Sequence, residues 1–186
     1  MSIEAPAARA TTTESLLGLL SLGPLSGYEI RQLIDESIGN FWTESFGQIY
    51  PTLKRMAADG LVSVEETPDG KRRKKTYSLT DPGRERLREW LAMPVSVQVP
   101  RNELLLKLFF GNRGERSEMQ RLVETRRDLL TARLARLRAI EQQITADHAG
   151  HPALPFWLMT VRYGTAETTA LLGWCKDCLT TFKEMS

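Results

Sequence analysis

The chain has 186 residues, of which 41% are hydrophobic and 26% are charged, as expected of an ordinary globular protein. Its formal net charge is only +2, so any affinity for nucleic acid must come from a local basic patch. No apolar run reaches the ~18 residues of a membrane span, and the N-terminus has no apolar stretch of the signal-peptide type. We therefore expect a cytoplasmic protein without a membrane partner, with a loose tail over residues 1–11.

Two helices are predicted before Gly39. The run SLLGLLSLG offers a wide leucine face and stops at Gly23. Ser26 then opens GYEIRQLIDESIG, whose apolar residues recur at helical spacing up to Gly39.

The stretch FWTESFGQIYPTLKRMAADGLV, residues 41–62, contains a third helix with a proline inside it. Ile49 and Leu53 recur at helical spacing, yet Pro51 lacks the amide proton that a helix interior needs. We predict that the helix becomes regular only around Gln48, so that Pro51 lies within about one turn of its start.

Beyond this helix the pattern changes from helical to extended. LVSVEE and TYSLT are predicted to be short strands, with TPDGKRRKK as the turn between them. A fourth helix, PGRERLREWL, follows with Thr80 or Asp81 as its cap. Three helices, a basic hairpin and a further helix form a winged helix-turn-helix arrangement, which we place at residues 12–92.

The order of three segments, LLGLLSLGPLSGYEI, FWTESFGQIYPTLKRMAADGLV and GKRRKKTYSLTDPGRERLREWL, resembles the PadR family of bacterial transcriptional regulators. The later NELLLKLFFG, followed by a long charged helix, is similar to the C-terminal region of the family's larger, Vir-like branch. The resemblance covers residues 12–186 and is most specific in GQIYPTL and YSLTDPGR. It implies a homodimer on a palindromic operator, with effector sensing between the DNA-binding domain and the helical C-terminal part.

The composition shifts after Leu91. Residues 93–101 are predicted to be a linker, and residues 102–186 a helical dimerisation and effector-response domain. The last helix carries a heptad-like seam whose small residues would let a partner helix approach closely. The predicted dimer interface on this seam consists of Trp157, Val161, Gly164, Leu171, Cys175 and Phe182. The predicted fold class is mainly α, with an N-terminal winged helix-turn-helix and a C-terminal antiparallel α-helical dimerisation region.

The predicted DNA contacts lie at the start of the third helix and in the basic run GKRRKK. Lysines and arginines on a wing gain free energy when they release counterions from phosphates, and polar residues of the helix can read base edges. The predicted contacts are Ser45, Gln48, Tyr50, Thr52, Lys54, Arg55, Lys71, Arg72, Arg73 and Lys74. The alternative for each is an exposed surface side chain without a DNA role.

Aromatic side chains near the junction of the two parts would suit a flat hydrophobic effector. The candidates are Phe41, Trp42, Trp90, Phe109 and Trp157. Core packing is their alternative role, because it is the usual explanation for aromatic residues at helical spacing. The predicted partners are double-stranded DNA, a second copy of the chain and a small aromatic or hydrophobic effector.

Chemistry beyond binding has little support in the sequence. CKDC, residues 175–178, lies near the end of a helix, whereas redox pairs use a helix N-terminus, so we favour packing. No Gly-rich phosphate loop, nucleophile elbow or paired-ligand metal motif occurs, so we predict no enzyme and no cofactor. The predicted function is a ligand-responsive repressor. Its rivals are a small-molecule-binding helical dimer with a non-functional winged helix, and an enzyme that acts on nucleic acid.

Overall fold

The computed structural model describes residues 12–39, 41–42, 46–69, 72–95 and 101–185. The chain forms two compact units, Met1–Gln98 and Val99–Ser186. Each unit has its own cluster of buried apolar side chains. Among the helices of the described residues, none combines the length and the apolarity needed to cross a bilayer.

The first unit combines helices with a small antiparallel sheet. In chain order its elements are α1 (Thr12–Leu20), β1 (Leu25–Ser26), α2 (Gly27–Leu33), α3 (Phe46–Ala58), β2 (Val62–Asp69), β3 (Arg72–Leu79) and α4 (Asp81–Leu91). A wider π-helical turn, Ile34–Ile38, extends α2. The central strand is β3, which pairs with β1 on one side and with β2 on the other. This is the predicted winged helix-turn-helix, with β2 and β3 as the wing.

The core of the first unit joins leucines of α1 to the apolar face of α3. Leu16 and Leu17 are fully buried, and so are Leu53 and Met56. Ile49 lies on the same face of α3, at 1% exposure. Positions 49, 53 and 56 follow each other by four and three residues, so one face of the helix buries all three. This packing determines which side of α3 faces solvent.

Pro51 lies inside α3, because the helix begins at Phe46, two residues before the predicted start at Gln48. Proline supplies no amide proton, so one carbonyl of the preceding turn lacks its helical donor. The cost is limited, since Pro51 is exposed and lies in the first half of the helix. The helix start was therefore predicted slightly too late.

The wing differs from its prediction in the length of its strands. β2 and β3 pair continuously from Val62 opposite Leu79 to Asp69 opposite Arg72. Lysines and arginines that were predicted to lie in a turn therefore lie along β3. Opposite charges stabilise this extension, since Glu66 lies directly across the ladder from Lys75.

α4 contacts the rest of the unit at two points. Gly83 packs closely on the backbone of Leu61, and Arg86 forms an ion pair with Glu14 of α1. Thr80 caps the helix, and its Oγ1 accepts a hydrogen bond from the Gly83 amide at 3.2 Å. An Arg86 guanidinium nitrogen donates to the carboxylate of Glu14 at 3.2 Å. The Glu14 side chain is only 6% exposed, so this charge needs a partner and fixes α4 against α1.

Among the residues described for it, the second unit contains helices joined by short connections and no strand. Its elements are α5 (Glu103–Phe109), a short 3₁₀ turn (Gly111–Arg113), α6 (Arg116–Asp147) and α7 (Leu154–Glu184). Arg133 pairs with Glu167, and Glu141, further along α6, pairs with the earlier Arg162 of α7. The two long helices are therefore antiparallel. The predicted fold class, mainly α with a winged helix and a C-terminal helical region, is the observed one.

The seam of α7 packs against α6 of the same chain. Leu171, Cys175 and Phe182 belong to the cluster formed with Val123 and Leu130 of α6. A Cβ on Gly164 would lie 3.3 Å from a methyl carbon of Leu137, so α6 already makes the close approach that small residues permit. At the buried Gly164 and Cys175 this corrects the prediction that a partner's helix occupies the seam. The other predicted interface residues, which are half-buried, stay predictions: Trp157, Val161, Leu171 and Phe182.

The two cysteines contribute to this helical core. Cys175 is fully buried and Cys178 is half-buried, and both are free thiols. Burial raises the pKa of both thiols. A thiol that stays protonated is a poor nucleophile and a poor metal ligand, so packing is the role that this environment favours.

Replacing Gly83 with alanine should destabilise the first unit, because the added Cβ would lie 2.1 Å from the carbonyl oxygen of Leu61. Overpacking of this kind costs about 1–3 kcal/mol, which urea denaturation would show as a lower free energy of unfolding. Gly18→Ala is the matched control, since nothing lies within 4 Å of its Cβ. Alanine there should stabilise α1 by up to about 1 kcal/mol. Equal effects of both substitutions would contradict this packing.

Candidate nucleic-acid interface

The solvent side of α3 carries polar and basic side chains. Gln48 and Lys54 are exposed, and the ring of Tyr50 is 59% exposed. Arg55 is also exposed, and one of its guanidinium nitrogens donates to the Thr13 hydroxyl of α1 at 3.3 Å. These four side chains lie outside the buried face of the helix, where a DNA groove can reach them.

Thr52 departs from its predicted role. Its side chain is only 2% exposed, so its hydroxyl does not face solvent. Position 52 precedes Leu53 and follows Ile49 by three residues, which places it at the edge of the buried face. Its assignment as a phosphate contact is therefore corrected to a core position.

The second component is the row of cations on β3. The side chains of Arg73, Lys74 and Lys75 are 78%, 42% and 55% exposed. Successive residues of a strand point to opposite faces, so the row presents positive charge on both faces of the wing. Lys75 was part of the basic run but was not among the predicted contacts.

The third component, the start of α2, was missed as part of the site. Ser26 and Glu29 form a capping box in which each side chain hydrogen-bonds the backbone near the other. A Cβ on Gly27 would lie 2.5 Å from a ring carbon of Tyr50, so the tyrosine ring packs directly on this glycine. The sequence carried this signal as S-x-x-E before an apolar run, the usual signature of a capping box.

These three components meet around one surface cavity of about 550 Å³. Its lining consists of Ser26, Gly27, Tyr28, Glu29, Tyr50, Arg73, Lys74, Lys75 and Tyr77. Of the predicted DNA contacts, the structure thus brings Tyr50, Arg73 and Lys74 together. Ser45, Lys71 and the Arg72 side chain lie outside the described residues.

Two glutamates hold the cations of the wing. Glu29 accepts a hydrogen bond from Nζ of Lys74 at 2.8 Å. Glu66 is shared, at 3.1 Å from Arg73 and 3.0 Å from Lys75. The hydrogen bond from Lys74, together with those from Ser26, lowers the pKa of Glu29 from 4.5 to about 2. Lys75 and Arg73 likewise lower the pKa of Glu66, which in turn raises the pKa of Lys75.

The predicted effector aromatics fall into both units. In the first unit, Phe41 is 54% exposed, while Trp42 and Trp90 are half-buried. In the second unit, Phe109 is 79% exposed, and the ring of Trp157 packs against those of two histidines. None of the five lines the cavity described above.

The comparison with known proteins agrees with this geometry. A family described as "Transcriptional regulator PadR-like family" matches residues 16–89, and "Virulence activator alpha C-term" matches residues 100–183. The negative transcriptional regulator PadR of Bacillus subtilis (strain 168) is 35% identical over 135 residues, which cover 71% of this chain and 74% of that protein. The chain belongs to the PadR-like family of transcriptional regulators. The predicted resemblance to this family, including its Vir-like C-terminal region, is confirmed.

Two crystal structures share the fold of this PadR-like regulator. Bacillus subtilis PadR in complex with operator DNA has a TM-score of 0.81 and 27% identity, over 91% of this chain and 98% of that one. Bacillus subtilis PadR in complex with p-coumaric acid has a TM-score of 0.76 and 26% identity, over 92% and 98% respectively. Membership of this family makes the chain a DNA-binding transcriptional regulator rather than an enzyme.

The low pKa of Glu29 can be tested by NMR, through the chemical shift of its side-chain carboxyl carbon as the pH falls. Folding lowers this pKa, so the stabilisation by the ionised carboxylate is present above pH 4.5 and is lost as the pH falls toward about 2. Lys74→Gln removes the largest cause and should raise the midpoint toward 4.5. A midpoint that stays the same in this variant would show that Lys74 does not hold Glu29.

Proposed function

We propose that this PadR-like regulator represses transcription by binding a palindromic operator as a homodimer, and that a small aromatic effector releases it. The observation that carries the proposal is the cavity where Tyr50 of α3 meets Arg73 and Lys74 of the wing. Bacillus subtilis PadR supports it, since that relative is named a negative transcriptional regulator and was crystallised with operator DNA.

The elements have different roles in the proposed complex. Arg73 and Lys75 are exposed and share one carboxylate between them, so the pair keeps a net positive charge for phosphates. Gln48 has both a donor and an acceptor and is exposed near the start of α3, so it is suited to a base edge in the major groove. We assign Lys54 and Arg55, further along α3, to contacts with the DNA backbone.

The proposed homodimer uses the outer face of α7 instead of its seam. Phe156, Met159 and Tyr163 are 68%, 64% and 66% exposed, although all three are large and apolar or aromatic. They follow each other by three and four residues and therefore form one stripe on the helix. A second copy of the chain would bury this stripe, which contributes about 25 cal/mol for each Å² of apolar surface removed from water.

The proposed effector is a small aromatic molecule. Its contacts are drawn from the five aromatics Phe41, Trp42, Trp90, Phe109 and Trp157. p-Coumaric acid, which occupies the B. subtilis relative, is the natural first probe. To release DNA, the effector must bind the DNA-free arrangement more tightly than the DNA-bound one, because equal affinity for both shifts nothing.

The proposed roles, phosphate contacts by the wing and base reading by α3, can be separated by titrating DNA at several salt concentrations. Replacing Arg73 and Lys75 with alanine should weaken binding to any duplex. The slope of log K against log salt concentration should become shallower by up to about 0.9 per lost phosphate contact. Gln48→Ala removes no charge, so the slope should hardly change. It should instead reduce discrimination by about 1–3 kcal/mol at one symmetric pair of operator positions. If the wing variant loses only discrimination while Gln48→Ala loses affinity for every duplex, the two roles are reversed.

The proposed dimer face can be tested by light scattering on the full chain. Met159→Glu places a charge in the apolar stripe and should shift the protein toward monomers, with weaker operator binding as a consequence. Thr169→Glu is the matched control, because it adds the same charge at an exposed position of α7 outside the stripe. A Met159→Glu variant that remains as dimeric as the control would show that this face is not the interface.

A further inference from the structure

The two carboxylate oxygens of Glu29 accept hydrogen bonds from different elements of the fold. Oε2 accepts hydrogen bonds from the backbone amide and the hydroxyl of Ser26, both at 2.7 Å, and so closes the capping box of α2. Oε1 accepts from Nζ of Lys74 on β3 at 2.8 Å. The cap holds the carboxylate in place, so the flexible lysine side chain is drawn to a fixed point.

The charges of the wing are balanced unequally as a result. Lys74 and Glu29 cancel one for one, whereas Arg73 and Lys75 share the single charge of Glu66. Lys74 also has the least exposed side chain of these three cations, at 42%. A phosphate that binds Lys74 therefore competes with an existing anionic partner, while Arg73 and Lys75 retain one unbalanced positive charge among the side chains that the structure describes.

We propose that Glu29 is a specificity-determining residue, which competes with the DNA backbone for Lys74. On a random duplex, no phosphate is held in the right place to displace the carboxylate, and Lys74 stays with Glu29. On the operator, contacts from α3 fix the register, and a phosphate then replaces Glu29 as the partner of Lys74. Glu29 thereby weakens non-specific binding more than specific binding. This inference rests on the proposed DNA-contacting role of the wing.

Glu29→Gln is the decisive substitution. Glutamine can still accept a hydrogen bond in a capping box, but it carries no charge to hold Lys74. We expect the variant to bind a mixed-sequence duplex several-fold more tightly, because Lys74 is then free to neutralise one more phosphate. For the same reason the slope of log K against log salt concentration should be steeper by up to about 0.9. Affinity for a duplex selected from a random pool by the wild type should change less, so discrimination should fall.

Two further variants separate this competition from a general effect of charge. Glu65→Gln removes the same charge from the face of the wing that carries Lys74, yet Glu65 forms no ion pair within the described part of the chain. It should therefore leave the salt slope nearly unchanged. In a Lys74→Gln background, Glu29→Gln should no longer steepen the slope, because the lysine that it frees is absent.

The outcomes are distinct. Equal changes from Glu29→Gln and Glu65→Gln, or a steeper slope that persists without Lys74, would overturn the competition and leave only net charge. A wild-type protein that selects no duplex from the pool would instead overturn the proposed repressor function. Thermal denaturation of each variant separates a loss of the α2 cap, which lowers the melting temperature, from a change in DNA affinity.

Discussion

The buried face of α3 is the constraint on which the site depends. Leu53 and Met56 are fully buried against the leucines of α1, and this packing fixes the rotation of the helix about its own axis. Gln48 and Tyr50 consequently face outward, and the ring of Tyr50 rests on Gly27 at the start of α2. A recognition surface must be rigid to read a sequence, and here the rigidity comes from apolar packing directly beneath it.

Charged side chains of the wing are the second feature of this surface. The chain as a whole is close to neutral, at +2, so the proposed attraction to DNA depends on a local patch, for which the wing cations are the candidates. Placing Glu29 and Glu66 among those cations lowers the local charge and orients the side chains at the same time. A regulator faces a large excess of non-specific sites, so the ratio of affinities matters more than strong attraction to every duplex.

Local patterns in the sequence predicted the fold because they obey local rules. The spacing of Ile49 and Leu53 and the basic hairpin led to a winged helix, which the structure contains. Other features depend on tertiary neighbours, which no local pattern reveals. Thr52 is polar but lies at the edge of a packed face, and the partner of the α7 seam is α6 of the same chain. The hydrogen bond from Lys74 to Glu29 joins residues 45 positions apart, so the sequence pattern likewise did not predict it.

The most direct test of operator recognition is the selection of duplexes by the full chain from a random pool, with and without p-coumaric acid. We expect enrichment of an inverted repeat whose half-sites lie one helical turn, or a multiple of it, apart. An effector should reduce the yield without changing the enriched sequence. Recovery of sequences without a common inverted repeat would contradict the central claim that a symmetric pair of winged helices reads an operator.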